Sequence, residues 1–176
     1  MPRRRRKTGV EQAPDFAHIA EQHLADIYGY LVYLTGDREL AQELTSAAFE
    51  KALRSWSRFD PRRASANTWL CTIARSVALD HFRAEDRRRR REDAYAVQQE
   101  FDVREPSFAD GLSPELERAL GELSAADREV IALRVVLDFD ADEAARLLGI
   151  SKTACTTRLS RALAKLQEKV ADDVLA

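Results

Sequence analysis

The helix predicted after Ser151 presents short polar and cationic side chains on one face of its N-terminal half. Arginine can hydrogen-bond guanine with two parallel bonds, and threonine can contact phosphates, bases or the thymine methyl group. A helix with such a face suits the major groove of duplex DNA. The candidate DNA-binding residues are Lys152, Thr153, Thr156, Thr157, Arg158 and Arg161.

The residues around this face have the pattern of a helix-turn-helix between positions 140 and 161. Asp140 and Glu143 form a capping-box pattern at the start of a short helix whose two consecutive alanines allow close approach of a second helix. Gly149 suits the left-handed bend between the helices, and Ser151 can cap the second one. The alternative is a pair of ordinary bundle helices with a solvated polar face. The predicted inward stripe of the second helix is Cys155, Leu159, Ala162, Leu163, Leu166 and Val170.

The charge of the chain is distributed in blocks. The net charge is only -2, but residues 75–91 contain seven arginines and three acids, and residues 92–113 contain six acids and one arginine. Because attraction to phosphate is screened over about 10 Å, a local block matters more than the average. The run from Arg87 to Arg91 is equally consistent with a solvated helix end. The run from Arg3 to Lys7 favours a disordered tail over a specific site.

The predicted fold class is all-α, with two small helical domains joined by a flexible acidic linker. Residues 1–14 form a basic tail and residues 15–91 a helical bundle, in which Gly36 ends the first helix and Asp37 caps the second. Residues 92–113 are the linker, and residues 114–174 are the second domain. The apolar stripes of the first two helices include Phe16, Ile19, Leu24, Ile27, Leu31, Leu34, Leu40, Leu44, Ala48 and Leu53.

Several function classes are disfavoured by the sequence. There is no glycine-rich phosphate loop, no metal-ligand cluster and no nucleophile–base pair, so we expect neither an enzyme nor a cofactor. No apolar run approaches the roughly 20 residues needed to span a bilayer, and the two distant cysteines indicate a reducing cytoplasm. Cys155 falls on the inward stripe, which favours a small buried hydrophobe over a redox sensor, and His18 and His23 have no partner at metal spacing. A DNA-binding regulator with a receiver domain and a helical adaptor remain as alternative functions.

Two groups of motifs resemble the extracytoplasmic-function (group IV) sigma factors of bacterial RNA polymerase, in the sigma-70 family. The first resembles sigma region two: residues 41–45 (AQELT), Phe49, Trp56, residues 59–61 (FDP) and residues 68–75 (TWLCTIAR). The second resembles sigma region four: residues 123–128 (LSAADR), 143–145 (EAA), 148–151 (LGIS) and 158–162 (RLSRA). The ordered pair with an acidic linker between them is specific to this family.

The resemblance implies a function in promoter-specific transcription initiation. It implies that the predicted recognition helix binds the −35 element as duplex. It also implies partners: core RNA polymerase, through its β′ clamp helices and β flap, promoter DNA, and an anti-sigma factor. We expect a monomer when free and a cytoplasmic, nucleoid-associated location in the holoenzyme. The implied polymerase-binding residues are Glu43, Leu44, Ser46, Phe49 and Glu50, and the implied −10 element residues are Phe59, Trp69, Arg75, Ser76, Asp80 and Arg83.

The chain departs from the family pattern at a few of these positions. Ser76 replaces the usual asparagine of the −10 pocket, and Glu43 replaces an aspartate of the clamp-binding motif. The recognition helix begins with Thr153-Ala154-Cys155 instead of glycine-threonine-valine, and Thr156 stands where a basic residue is common. These changes predict fewer phosphate contacts and an altered base preference. Trp69 is equally consistent with a core tryptophan.

Overall fold

The computed structural model describes residues 15–93, 107–108 and 110–175. Within those ranges the chain forms seven α-helices and no strand. The first three are α1 (Phe16–Thr35), α2 (Arg38–Ser55) and α3 (Ala66–Asp93), with a short 3-10 turn at Trp56–Arg58. The others are α4 (Pro114–Gly121), α5 (Ala125–Ile131), α6 (Ala141–Leu148) and α7 (Lys152–Leu175), with a π-helical turn at Ala132–Val136 after α5. The all-α prediction is confirmed.

The predicted helix boundaries of the N-terminal half follow from local chemistry. Gly36 adopts a left-handed φ of 70° and its N–H donates to the carbonyl of Val32, which ends α1. The Asp37 carboxylate accepts hydrogen bonds from the N–H groups of Glu39 and Leu40, which starts α2. Both features were predicted, because glycine tolerates the left-handed conformation and aspartate satisfies free N–H groups at a helix start.

The N-terminal core is narrower than the sequence pattern predicts. α1, α2 and α3 pack against one another around a core that includes Leu31, Ala48 and Leu70. Leu24 and Leu53 were assigned to the inward stripes, but they are 52% and 58% exposed, so this assignment was wrong. A helix in a three-helix bundle buries only part of its circumference, and residues at the edge of the apolar stripe stay in solvent.

The C-terminal half starts each of its short helices with a capping side chain. Ser113 precedes Pro114 and accepts from the N–H of Leu116, and Ser124 accepts from the N–H of Asp127. These caps were predicted. The π-helical turn was not predicted; there the N–H of Leu137 donates to the carbonyl of Ala132 over 2.9 Å.

The two halves contact each other through α1 with α5 and through α3 with α6. Phe108, in the segment expected to be linker, is only 1% exposed. Its ring lies 5.8 Å from the ring of Tyr33 in α1, and its N–H donates to the Glu117 side chain in α4. Phe108 is therefore packed against both halves of the chain.

Candidate nucleic-acid interface

The N-terminal half of α7 forms one wall of a groove of about 530 Å³. Four predicted −35 residues, Thr153, Thr157, Arg158 and Arg161, line this groove together. They recur at spacings of three and four residues, so one helix face presents two hydroxyls and two guanidinium groups. Ser151, Ala154, Lys165 and Asp127 complete the lining.

The turn before α7 sets the orientation of this face. The capping box predicted for Asp140 and Glu143 is present in both directions. Gly149 has a left-handed φ of 69°, and the Ser151 hydroxyl accepts from the N–H of Ala154. Cys155 is fully buried beneath the turn, which confirms the prediction of a small buried hydrophobe. Leu163 was also assigned to the inward stripe, but it is 40% exposed.

The other two predicted −35 residues lie outside the groove lining. The Lys152 ammonium group donates to an Asp142 carboxylate oxygen of α6 over 2.7 Å, which raises the pKa of Lys152. Thr156 is exposed, and its hydroxyl donates to the Lys152 carbonyl of its own helix. Both groups remain at the surface of the N-terminal turn of α7.

The Asp127 carboxylate is part of the opposite wall of the groove. Burial raises its pKa, but hydrogen bonds from Lys165 and Ser124 outweigh burial and leave the pKa below its usual value. The Lys165 ammonium lies 2.8 Å from Asp127. The carboxylate therefore holds a cation at the edge of the groove, beside Arg158.

The aromatic residues assigned to the −10 element form a cluster. The rings of Phe59 and Trp69 lie 5.1 Å apart, and Trp56 stacks on Phe59 at 4.9 Å. Phe16 closes the cluster at 5.4 Å from Trp56. Phe59 and Trp69 are half-buried, so each residue packs in the cluster and is still partly accessible to solvent.

Four of the residues predicted to bind the −10 element lie on one face of α3. Trp69, Ser76, Asp80 and Arg83 follow one another at steps of seven, four and three residues. The Ser76 hydroxyl accepts from the Lys51 ammonium of α2 over 3.1 Å, and Arg83 pairs with Asp80 at 3.3 Å. The serine that replaces asparagine is thus accompanied by a cation from the neighbouring helix.

Arg75 points away from this face. Its Nε donates to Oε1 of Glu129 in α5 over 2.8 Å, and its side chain is 25% exposed. The structure therefore places Arg75 between the two halves and not with Ser76.

A second groove lies between α1 and α2, where residues assigned to polymerase binding are found. This groove has a volume of about 560 Å³, and Leu24 and Ser46 are among its lining residues. Glu43 lies outside its lining, on an adjoining surface of α2 formed with Glu39, Gln42 and Ser46. The further lining residues of the groove are Glu21, Ala25, Tyr28, Gln42 and Thr45.

Three residues predicted to bind polymerase differ in their placement. Leu44 is buried in the core at 5% exposure, so its side chain supports the surface from beneath and is not available to a partner. Phe49 is half-buried against Phe16, with ring centroids 6.5 Å apart. Glu50 is exposed and ion-pairs with Arg54 on the outside of α2.

Sequence reasoning missed two groups of residues. Leu24, Tyr28 and Gln42 line the α1–α2 groove, and the exposed leucine was hidden within an apolar periodicity. Tyr30 and Glu129, which meet between the halves, carried no local signal, because a tyrosine and a glutamate in helical sequence are compatible with many environments.

Among the residues that the structure describes, no group of three or more metal-ligating side chains comes together. Across the same residues, every helix is too short or too polar to cross a bilayer.

Comparison with known proteins bears on these surfaces. The model of Sigma-70 region 2 matches residues 19–88, and the model of Sigma-70, region 4 matches residues 113–166. The chain is 30% identical to the RNA polymerase sigma factor CarQ of Myxococcus xanthus over 92% of this chain and 91% of CarQ. It is 29% identical to the ECF RNA polymerase sigma factor SigX of Bacillus subtilis over 87% of this chain and 82% of SigX.

The chain belongs to the extracytoplasmic-function sigma factors of the sigma-70 family. The family consists of promoter-recognising factors that direct transcription initiation and are not enzymes.

Other similarities concern length and fold. This sigma factor is 29% identical to BldN of Streptomyces coelicolor over 92% of its own chain, and it spans 62% of the length of BldN. Its structure resembles that of the sigma factor RpoE in complex with the anti-sigma factor NepR from Bartonella quintana, with a TM-score of 0.75 and 24% identity over 90% of this chain and 98% of RpoE. It also resembles CnrH in complex with the cytosolic domain of CnrY, with a TM-score of 0.63 and 22% identity over 90% and 88% of the two chains. The fold of both regions is thereby confirmed.

Proposed function

We propose that the groove on α7 reads the −35 element as duplex DNA. The observation that carries this proposal is the convergence of Thr153, Thr157, Arg158 and Arg161 on one wall of an open groove. Two guanidinium groups one helical turn apart can contact successive base edges or phosphates, and the hydroxyls can supply shorter-range hydrogen bonds. Lys152 and Thr156, at the N-terminal turn, then lie on the flank of the helix and contact the phosphate backbone.

We propose that the face of α3 containing Ser76 binds the melted −10 strand. Opening of a duplex requires a platform for an unstacked base and cations for the backbone. The half-buried rings of Phe59 and Trp69 supply the platform, and Arg83 supplies a cation beside Asp80. Lys51 donates to Ser76 and adds a cation and a hydroxyl where the family has an amide. This pair is the feature expected to alter base preference.

We propose that the α1–α2 groove receives the β′ clamp helices of core polymerase. The groove contains Glu21 and the exposed Leu24, and the adjoining surface of α2 adds Glu43. Such a surface fits an amphipathic helix with basic residues beside its apolar stripe. The β flap is assigned to region four by family resemblance.

We propose that an anti-sigma factor regulates this chain, and that the free chain is a cytoplasmic monomer that joins the nucleoid with polymerase. Support comes from the RpoE neighbour, which was solved with the anti-sigma factor NepR and has the same two-region fold over nine-tenths of this chain.

Run-off transcription with purified core polymerase and genomic fragments tests the proposed function. The wild-type chain should bind core polymerase and give transcripts with defined start sites. Glu43→Arg should weaken polymerase binding, whereas Glu168→Arg, an exposed change on α7 outside the groove, should leave it unchanged. A wild-type chain that neither binds core polymerase nor produces defined starts would exclude this function.

A further inference from the structure

A buried carboxylate in region four is bonded to region two. Glu129 of α5 is 5% exposed, and its Oε1 accepts from the Tyr30 hydroxyl of α1 over 2.7 Å and from Nε of Arg75 in α3 over 2.8 Å. Removal of a carboxylate from water is costly unless strong hydrogen bonds replace hydration. Both bonds to Glu129 cross between the halves, so this environment exists only while the halves are together.

The neighbouring residue makes a second set of bonds across the same boundary. Nε of Arg128 donates to the Tyr33 carbonyl over 2.9 Å, and its Nη2 donates to the Leu34 carbonyl over 3.3 Å. Carbonyls in the last turn of a helix have no partner within that helix, and a guanidinium group is well suited to satisfy them. Arg128 also lies over the ring of the buried Phe108, at 5.8 Å from its centroid.

These contacts make part of the proposed −10 surface unavailable to DNA. Arg75 immediately precedes Ser76 in α3, but its guanidinium points away from the Ser76 face and is held by Glu129. At the start of α3, the Thr68 hydroxyl lies 3.5 Å from the Glu143 carboxylate of α6. Region four thus covers one side of the helix that is proposed to hold the melted strand, and it places two carboxylates where a phosphate backbone would be repelled.

We infer that the free chain is self-inhibited by a closed state, in which Glu129 occupies Arg75 and Arg128 joins region four to the end of α1. In the open state, Arg75 is released to contact the phosphates of the −10 strand. Arg75 is then a switch residue with two exclusive partners, one within the chain and one in DNA. The DNA half of this inference rests on the proposed function; the closed state itself does not.

Small-angle X-ray scattering of the full-length free chain tests the closed state. A compact chain of 176 residues has a radius of gyration of about 16 Å. The wild type should lie near this compact value. Glu129→Lys places a cation beside Arg75 and should raise the radius by about a fifth or more, because the two halves then separate. Phe108→Ala, which removes packing without touching the carboxylate, should move the radius in the same direction.

Two controls identify the source of any expansion. Lys165→Met breaks the ion pair that Lys165 of α7 forms with Asp127 of α5. Both residues lie within region four, so the radius of gyration should stay at the wild-type value. Circular dichroism of each variant shows whether the helices remain. If Glu129→Lys loses helix, Phe108→Ala and the milder Glu129→Gln decide the result.

The result separates the inference from the proposed function. An expanded wild type, or helical Glu129 and Phe108 variants with wild-type radii, overturns the closed state whatever the transcription assay gives. In run-off transcription, the opened variants should form initiating complexes faster than the wild type at limiting sigma factor. If the opened variants initiate no faster than the wild type, the inference of self-inhibition is wrong. If the wild type never initiates, the proposed function is wrong, but the scattering result on the closed state still holds.

Discussion

The Tyr30 hydroxyl and the Glu129 carboxylate, 99 positions apart in sequence, form a buried 2.7 Å hydrogen bond that joins α1 to α5. The tyrosine is fully buried and the glutamate nearly so. Each supplies what the other lacks, since the phenol donates one hydrogen bond and the carboxylate only accepts. The bond therefore makes the stability of the whole chain sensitive to one phenol.

We predict that this phenol makes the chain alkali-sensitive. Burial, the Glu129 charge and the hydrogen bond to Glu129 raise the pKa of Tyr30 well above its usual value. Because the folded-state pKa exceeds the unfolded value of about 10, the stabilisation is fully present below that pH. It is lost as pH rises from about 10 through the folded-state pKa.

Urea unfolding of wild type and Tyr30→Phe at pH values from 7 to 11 measures this effect. At pH 7 to 9 the wild type should be more stable by about 1.5–3 kcal/mol, the usual contribution of a hydrogen bond to a charged group. Above pH 10 the difference should shrink. A difference that stays constant to pH 11 would contradict the assignment.

We predict that Arg158 and Arg161 both contribute to promoter affinity, in ways that binding assays can separate. If an arginine reads a base, its substitution by alanine should cost about 1–3 kcal/mol and relax specificity at that base pair. If it contacts a phosphate, affinity should fall equally on all sequences and the salt dependence should become shallower by about one contact. Holoenzyme binding to promoter fragments at several salt concentrations distinguishes the two. Gln167→Ala, exposed on the same helix outside the groove, serves as the control, and wild-type behaviour of both arginine variants would remove them from the interface.

We predict opposite effects of alanine at two glycines. Gly149 has a φ of 69° and no atom near its missing Cβ, so Gly149→Ala meets conformational strain and no clash. It should lower the free energy of unfolding by about 1–2 kcal/mol. Gly29 lies within α1 at an ordinary helical φ with open space around it, so Gly29→Ala should raise stability by about 0.5–1 kcal/mol. Thermal or urea unfolding measures the change in stability of both variants. If Gly29→Ala, the matched control, were destabilised, the surroundings of Gly29 would be packed more tightly than the structure indicates.

We predict that both thiols are unreactive in the native chain. Burial, followed by the charge of Asp26, raises the pKa of Cys71 to about 12, and burial also raises the pKa of Cys155. Since the thiolate is the nucleophile, an aromatic disulfide reagent should modify both cysteines much more slowly in buffer than in denaturant. Rapid modification of Cys155 in buffer would show that the helix-turn-helix opens locally or that this thiol is a redox site.

Local features of the fold were predictable because the chemistry that fixes them is local. The left-handed glycines Gly36 and Gly149 and the caps Asp37 and Ser151 were assigned from neighbouring residues alone. Exposure at the edges of the stripes was not predictable, as Leu24 and Leu53 show. An apolar periodicity gives the direction of burial, but the number of neighbouring helices decides how wide a stripe is covered.

The candidate site was predictable where one helix face forms it. Four of the six predicted −35 residues share a groove because helical spacing brings them to one face of α7. The placement of Arg75 was not predictable, since its partner Glu129 comes from another helix 54 positions away. Leu44 shows the same limit, because a motif assigned from resemblance does not distinguish residues that touch a partner from those that support the surface.

The buried Phe108 also sets the length of the tether between the two regions. From Asp93 to Ser107 the chain has 14 peptide steps, which can extend to at most about 50 Å. From Asp93 to Pro114 it has 21 steps and a maximum of about 75 Å. Because Phe108 also donates to Glu117 of α4, a ring that stays packed on region four leaves only the shorter tether, and its release from region four lengthens the reach by roughly half with no change in the covalent chain. The spacing that the two proposed DNA-binding surfaces can bridge therefore depends on where the Phe108 ring is packed as well as on sequence length.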